Sequence, residues 1–196
     1  MSVAVITRLR SMGRWEPDAR GRMVRAAMEL FAERGFDQTT TGDIAERAGV
    51  TERTFFRHFA DKREVLFDGS PTMQQAAYDA IVAAPADVEP LAAALAGMEA
   101  FGGLLEDRRD HSVRRAKLIA ANPSLQEREL LKLAAIVGTT AEALRTRGVP
   151  EPAASLAAHS AVSVFQIACE HWISAAEPLM LSACIKESEA ALRALK

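Results

Sequence analysis

The chain has 196 residues, 49% apolar and 26% charged, and its 24 Lys and Arg against 26 Asp and Glu leave a formal net charge of −2. A chain of that length buries roughly 70% of the surface its unfolded form exposes, which is enough for a core without metals or disulfides. The two cysteines, Cys169 and Cys184, lie in apolar stretches without CxxC spacing and read as reduced core thiols of a cytoplasmic protein, and the absence of an eighteen-residue apolar run or a secretory pattern argues against a membrane partner.

The predicted elements are all helical. Residues 1–17 form a basic arm with Arg8, Arg10 and Arg14 and no acid in the first fourteen positions, open to three readings: insertion into a minor groove, electrostatic steering, or a tail without a fixed contact. Asp18 is placed to cap a first helix that carries Val24, Met28, Leu30 and Phe31 inward and stops at Gly35. In "TTTGDIAERAGV", Thr41 is the expected cap of a short second helix ending at Gly49, where the turn is expected to need a small residue for close approach of two helices. Thr51 caps a third helix and Asp61 a fourth. Further helices are expected near 71–84, 88–107, 110–121, 124–147, 152–176 and 178–195, with breaks at prolines and at Asn122 and Gly148. About nine helices result, with residues 18–68 as one domain and 69–196 as another.

The stretch "GVTERTFFRHFADKREVLF", residues 49–67, concentrates four Phe, three Arg, a Lys and a His. At 100° per residue Phe55 and Phe59 share one face of the third helix, Arg53 and Arg57 lie roughly opposite, and Thr54 and His58 form a column beside them. The aromatic face anchors the helix; the other is a row of donors suited to base edges and phosphates in a DNA major groove. A plain amphipathic helical pair would show the same periodicity, so spacing alone leaves both readings open.

Residues 25–67, "RAAMELFAERGFDQTTTGDIAERAGVTERTFFRHFADKREVLF", closely resemble the DNA-binding domain of the TetR family of transcriptional regulators, through "ELFAERGF", "IAERAGV", "FFRHF" and the "DK" that follows. The resemblance implies a three-helix reading head with a helix-turn-helix, ahead of a helical ligand-binding and dimerisation domain. The implied partners are double-stranded DNA with a two-fold symmetric operator, a second copy of the chain, and a small, largely apolar effector that releases a repressor. Carried over by position, Thr40 and Thr41 meet phosphate; Thr54, Phe56, Arg57 and His58 meet backbone and bases; Lys62 meets a phosphate. Phe56 stands where tyrosine is frequent and so lacks a hydroxyl for phosphate. Arg53 stands where a small residue or lysine is common, which implies a guanine preference at one operator position.

In the second domain, Leu91, Leu95, Met98, Phe101 and Leu105 repeat at helical spacing and suit either a core or an adaptable apolar cavity; Met98, Phe101 and Leu105 are the cavity candidates. His159, Ser163, Gln166 and Glu170 form one polar stripe, which faces water, supplies polar handles to a ligand, or bonds across a dimer seam. By the resemblance, the last two helices form the dimer interface, with Val164, Phe165, Ala168, Trp172, Leu181, Ile185 and Leu192 as candidates. Arg114, Arg115 and Lys117 suit an anionic ligand group or a solvated face. His159 and His171 point about 120° apart on one helix and cannot share a metal there. With no HExxH, GxSxG, Walker or GxGxxG pattern, no cofactor, metal or catalysis is expected; the alternative to a regulator is a helical interaction protein on the same fold.

Overall fold

The computed structural model describes residues 18–195, so the expected arm at 1–17 lies outside the described residues. Among these the structure is helical throughout and divides into two compact units, one ending at Val65 and the other beginning at Leu66. The expected boundary after residue 68 thus moves back, because Leu66 and Phe67 are buried with the second unit's residues around them.

The first unit holds α1 (Ala19–Arg34), α2 (Thr41–Arg47) and α3 (Glu52–His58). Asp18 caps α1 by accepting the Gly21 N–H at 2.8 Å, and Gly35 ends it at φ 84°. The cap of α2 is Thr40, not Thr41: its hydroxyl accepts the Asp43 N–H while Asp43 accepts the Thr40 N–H, a reciprocal box that Thr41 is one residue too late to form. At the end of α2, Val50 N–H bonds the Ala45 carbonyl and Gly49 N–H the Glu46 carbonyl around Gly49 at φ 68°. An added Cβ at Gly49 would meet nothing within 4 Å, so its glycine answers the left-handed backbone and not the close approach expected from sequence. Arg47 forks onto Glu33 with two 3.0 Å bonds, and Arg22 Nε reaches the Ala48 carbonyl at 3.0 Å, tying α2 to α1.

The expected fourth helix at Asp61 is a 3-10 turn, Glu64–Phe67. The Asp61 carboxylate does accept the Arg63 and Glu64 N–H groups, but Gly69 turns left-handed at φ 83° and interrupts the run. Helix α4 (Ser70–Ala83) then starts afresh with a proline in its first turn.

The second unit continues with α5 (Pro90–Gly103), a 3-10 turn (Glu106–Arg108), α6 (Arg109–Ala120), α7 (Pro123–Thr146), α8 (Ala153–Ser174) and α9 (Leu181–Ala194). Helix α5 stops short of the expected 107 after Gly102 and Gly103, and α9 starts late, where Glu106 caps the Leu181 N–H at 2.7 Å. The core runs between α5, α8 and α9, where the Phe101 and Phe165 rings meet edge to face at 5.2 Å. Two arginines tie helix ends to other helices. Arg109 bonds the Trp172 and Ala175 carbonyls at 3.0 and 2.6 Å, and Arg147 bonds those of Ile81, Ala84 and Pro85.

Helices α4 and α5 approach so closely that a Cβ on buried Gly97 would lie 2.6 Å from Ile81 Cγ1 and 3.0 Å from the Ala77 carbonyl oxygen. Gly97→Ala should therefore lower unfolding free energy by about 1–3 kcal/mol in urea titrations. Combined with Ile81→Ala, the loss should be smaller than the sum of the two single losses, because the clash partner is gone.

Candidate functional site

Two places carry chemistry, one in each unit. On the first, α3 buries Phe55 completely and leaves Arg53, Phe56 and Arg57 outside, Phe56 at 53% exposure. Phe59 lies one residue beyond the helix in extended backbone, yet its ring stays buried 5.5 Å from that of Phe55. Neither the Arg53 nor the Arg57 guanidinium forms an ion pair among the described residues. Arg53, Phe56 and Arg57 thus present two cationic forks and an apolar ring on one short surface, with Thr54 and His58 half-buried at its edge. An exposed ring suits a thymine methyl and a free fork suits guanine or phosphate.

The other candidates on this unit are already engaged. The Thr40 hydroxyl bonds Asp43 Oδ2 at 2.7 Å, which with the Thr40 N–H holds the Asp43 carboxyl below its usual range. The Thr41 hydroxyl donates to Glu52 Oε1 at 2.5 Å, and the Thr51 and Thr54 hydroxyls share a 3.0 Å bond. A hydroxyl has one proton, so Thr41 can donate to phosphate only by leaving Glu52. The sequence reading overlooked Glu52, although it directly follows the cap of the reading helix. Lys62 differs most from its expected role as a phosphate contact. Its ammonium donates to the carbonyls of Phe36, Asp37 and Thr39 at 2.7, 3.2 and 2.9 Å and lies 4.4 Å from the Phe36 ring centroid. Three donors meet three acceptors, which makes Lys62 the clamp of the loop that leads into α2.

The second place is a cavity of about 530 Å3 bounded by residues from 66 to 173, all in the second unit. Phe101, Leu105, Gln166 and Glu170 line it. Met98 is instead fully buried in the core, and His159 and Ser163 are exposed to solvent on α8 away from the cavity wall; the polar stripe splits along its length, because the cavity is lined by α8 only from Phe165 to Ile173. Of the basic cluster only Arg115 reaches the cavity, while Arg114 and Lys117 stay exposed. Leu66, Phe67, Arg108, His111 and Glu129 were not foreseen as a wall, since they come from three separated segments. Burial pushes the Cys169 thiol up to about 12, which makes this wall residue an unreactive neutral group.

The dimer candidates turn mostly inward. Val164, Phe165, Ala168, Trp172, Leu181 and Ile185 are buried inside the protomer and Leu192 is half-buried against the same core, because α8 and α9 use their most apolar faces on each other and on α5. The outward face of α8 instead carries Leu156 and Ile167, at 64% and 59% exposure.

A short helix held by two buried rings, its donors outside and a capped helix before it, defines a helix-turn-helix DNA-binding protein, here joined to a helical unit with a cavity. Comparison with known proteins agrees. Residues 23–68 match the profile of bacterial regulatory proteins of the tetR family, and residues 88–195 match that of the MftR C-terminal domain. The chain belongs to the TetR family, which comprises transcriptional regulators and not enzymes, and it is a DNA-binding regulator of that kind. It is 39% identical over 88 residues to the HTH-type transcriptional regulator TcmR of Streptomyces glaucescens, a stretch covering 45% of this chain and 39% of that protein. To the HTH-type transcriptional repressor KstR2 of Mycobacterium tuberculosis it is 43% identical over 47 residues, 24% of either chain. The matched stretch thus spans well under half of these curated relatives. FadR of Thermus thermophilus, a TetR-family repressor solved with lauroyl-CoA, has the same fold, with a TM-score of 0.57 at 22% identity over 89% of this chain and 93% of that one.

Two outcomes check the reading surface. Arg53→Ala should relax selectivity at one base pair per half-site by about 1–3 kcal/mol, read from binding to a panel of single-base operator variants; an equal loss on all sequences would make Arg53 a phosphate contact. Lys62→Met should weaken operator binding while leaving the slope of log affinity against log salt unchanged, since loss of one phosphate contact would flatten that slope by about 1.

Proposed function

We propose that the chain acts as a homodimeric repressor whose grip on a two-fold symmetric operator is released when a small, largely apolar molecule enters the cavity. The observation that carries this reading is the cavity itself: at about 530 Å3 it falls in the range of small-molecule sites, and its wall starts at Leu66, the next residue in the chain after the reading unit. A ligand that favours one arrangement of this wall shifts the equilibrium between two states of the regulator by its differential affinity for them. The segment it acts through is the 3-10 turn Glu64–Phe67 leading into α4, so the effector alters the spacing of two reading heads that must match half-sites about 34–36 Å apart, or a multiple. Repression and ligand response are in keeping with FadR, a repressor solved with lauroyl-CoA. For the second copy, the outward face of α8 with Leu156 and Ile167 supplies the exposed apolar surface that a seam requires.

The test is selection of bound duplexes from a random library at about 0.15 M salt, with light scattering on the same sample. A two-fold symmetric motif, and a particle of twice the 21.2 kDa of one chain, are the expected results. Absence of any enriched sequence from folded dimer would refute the repressor reading.

A further inference from the structure

One wall of the cavity is built of donors. Arg108, His111, Ser112 and Arg115 line it from α6 and the turn before it, with Ser112 four residues after Arg108 and Arg115 four after His111. Arg115 is the most constrained of them. Its Nε bonds the Leu66 carbonyl at 2.8 Å, its Nη1 bonds Glu129 Oε1 at 2.9 Å, and its guanidinium lies 4.8 Å from the Phe67 ring centroid. A guanidinium has five N–H donors, and these bonds use two of them. Both side chains of the pair are largely withdrawn from water, with Arg115 26% and Glu129 34% exposed, and both border the cavity.

Arg108 forms no ion pair and His111 no side-chain hydrogen bond among the described residues. Asp68, Lys132 and Glu170 also border the cavity; Asp68 and Lys132 are engaged within the protein, and Arg108 and Glu170 are both exposed. The cavity lining carries the cations Arg108, Arg115 and Lys132 and the carboxylates Asp68, Glu129 and Glu170; at His111 burial lowers the imidazole below its usual value, Arg115, Arg114 and Arg108 lower it further, and Asp68 opposes them. Away from α6, Phe101, Leu133, Ile136, Phe165 and Ile173 give the wall an apolar stretch, beside the polar Gln126 and Gln166 and the charged Asp68, Glu129, Lys132 and Glu170.

We propose that the cavity selects an amphipathic molecule with one anionic end, and that Arg115 reads this end by exchanging the Glu129 carboxylate for the ligand's. The inference rests on the reading of the cavity as the effector site. Its physical basis is the cost of a withdrawn charge without a partner. A neutral ligand that pushes Glu129 aside strands the Arg115 guanidinium, whereas an anion takes the place of the carboxylate and leaves the cation paired. A cationic ligand meets Glu129 only by separating it from Arg115 and leaves that guanidinium without its partner. The exchange also selects for size, because the apolar body must fit the remaining wall while its acid reaches α6.

Isothermal titration of the full chain with decanoate, decanol and decylamine tests this directly. Decanoate is expected to bind at least tenfold more tightly than decanol, and decylamine most weakly. Arg115→Gln should erase the advantage of decanoate over decanol. Glu129→Gln should have the opposite sign: with the competing carboxylate removed, decanoate binds several-fold more tightly. A pair that served only to hold α6 on α7 would give no such gain, and if Arg115→Gln fails to fold, the Glu129→Gln result decides alone. Equal affinity for decanoate and decanol, binding of none of the three, or a loss of decanoate affinity in Glu129→Gln would overturn the proposal. Operator binding by the same protein separates the two readings: an operator without decanoate preference defeats the anion inference alone, and decanoate preference without an operator upholds it while defeating the repressor.

Discussion

A helix of seven residues does not hold itself together in water, since its few internal bonds scarcely offset the cost of starting it. Helix α3 therefore depends on the burial of Phe55 and, just past its end, of Phe59. Everything the regulator offers to DNA hangs on those two rings. They fix the rotation of the helix about its axis, and that rotation decides that Arg53, Phe56 and Arg57 face outward together. The surrounding parts protect the same orientation: the Thr40 and Asp43 box starts α2, the Gly49 turn delivers α3, and the Lys62 ammonium closes the preceding loop. Positioning thus consumes most of the polar groups close to the reading surface, and few are left to read.

That division explains what the sequence revealed. The periodicity around Phe55 is local, so the placement of α3, its buried face and its outward arginines could be read from seven consecutive residues. The family signature extended this to the reading head as a whole. Roles that depend on a distant partner were beyond such reading. Nothing in "DK" discloses that the Lys62 ammonium finds three carbonyls more than twenty residues earlier, and nothing in "TTT" shows which of two neighbouring threonines closes the box. Glu52 was missed because an acidic residue on a reading helix looks like a solvated charge until its bond to Thr41 is seen.

In the second unit the limits are of another kind. Helix spans came close to the observed ones because prolines and glycines mark them, but apolar residues at helical spacing line a cavity and fill a core with equal ease. Phe101 borders the cavity and Met98, three residues earlier on the same helix, does not; only the arrangement of neighbouring helices separates them. The same ambiguity attends the dimer candidates, since the most apolar faces of α8 and α9 serve the protomer's interior.

Arg109, Arg115 and Arg147 share a habit: each grips main-chain carbonyls across tens of residues of sequence, at Trp172 and Ala175, at Leu66, and at Ile81, Ala84 and Pro85. A carbonyl is the same whatever side chain its residue carries. The bonds themselves do not depend on the gripped residue's side chain, so the frame tolerates drift at Ala84, Pro85 and Ala175, which are not buried, as long as the arginines remain, while Leu66, Ile81 and Trp172 are held besides by their own burial. A domain fastened in this manner can exchange the side chains around its cavity, and with them its ligand, without loosening the joints that hold its helices.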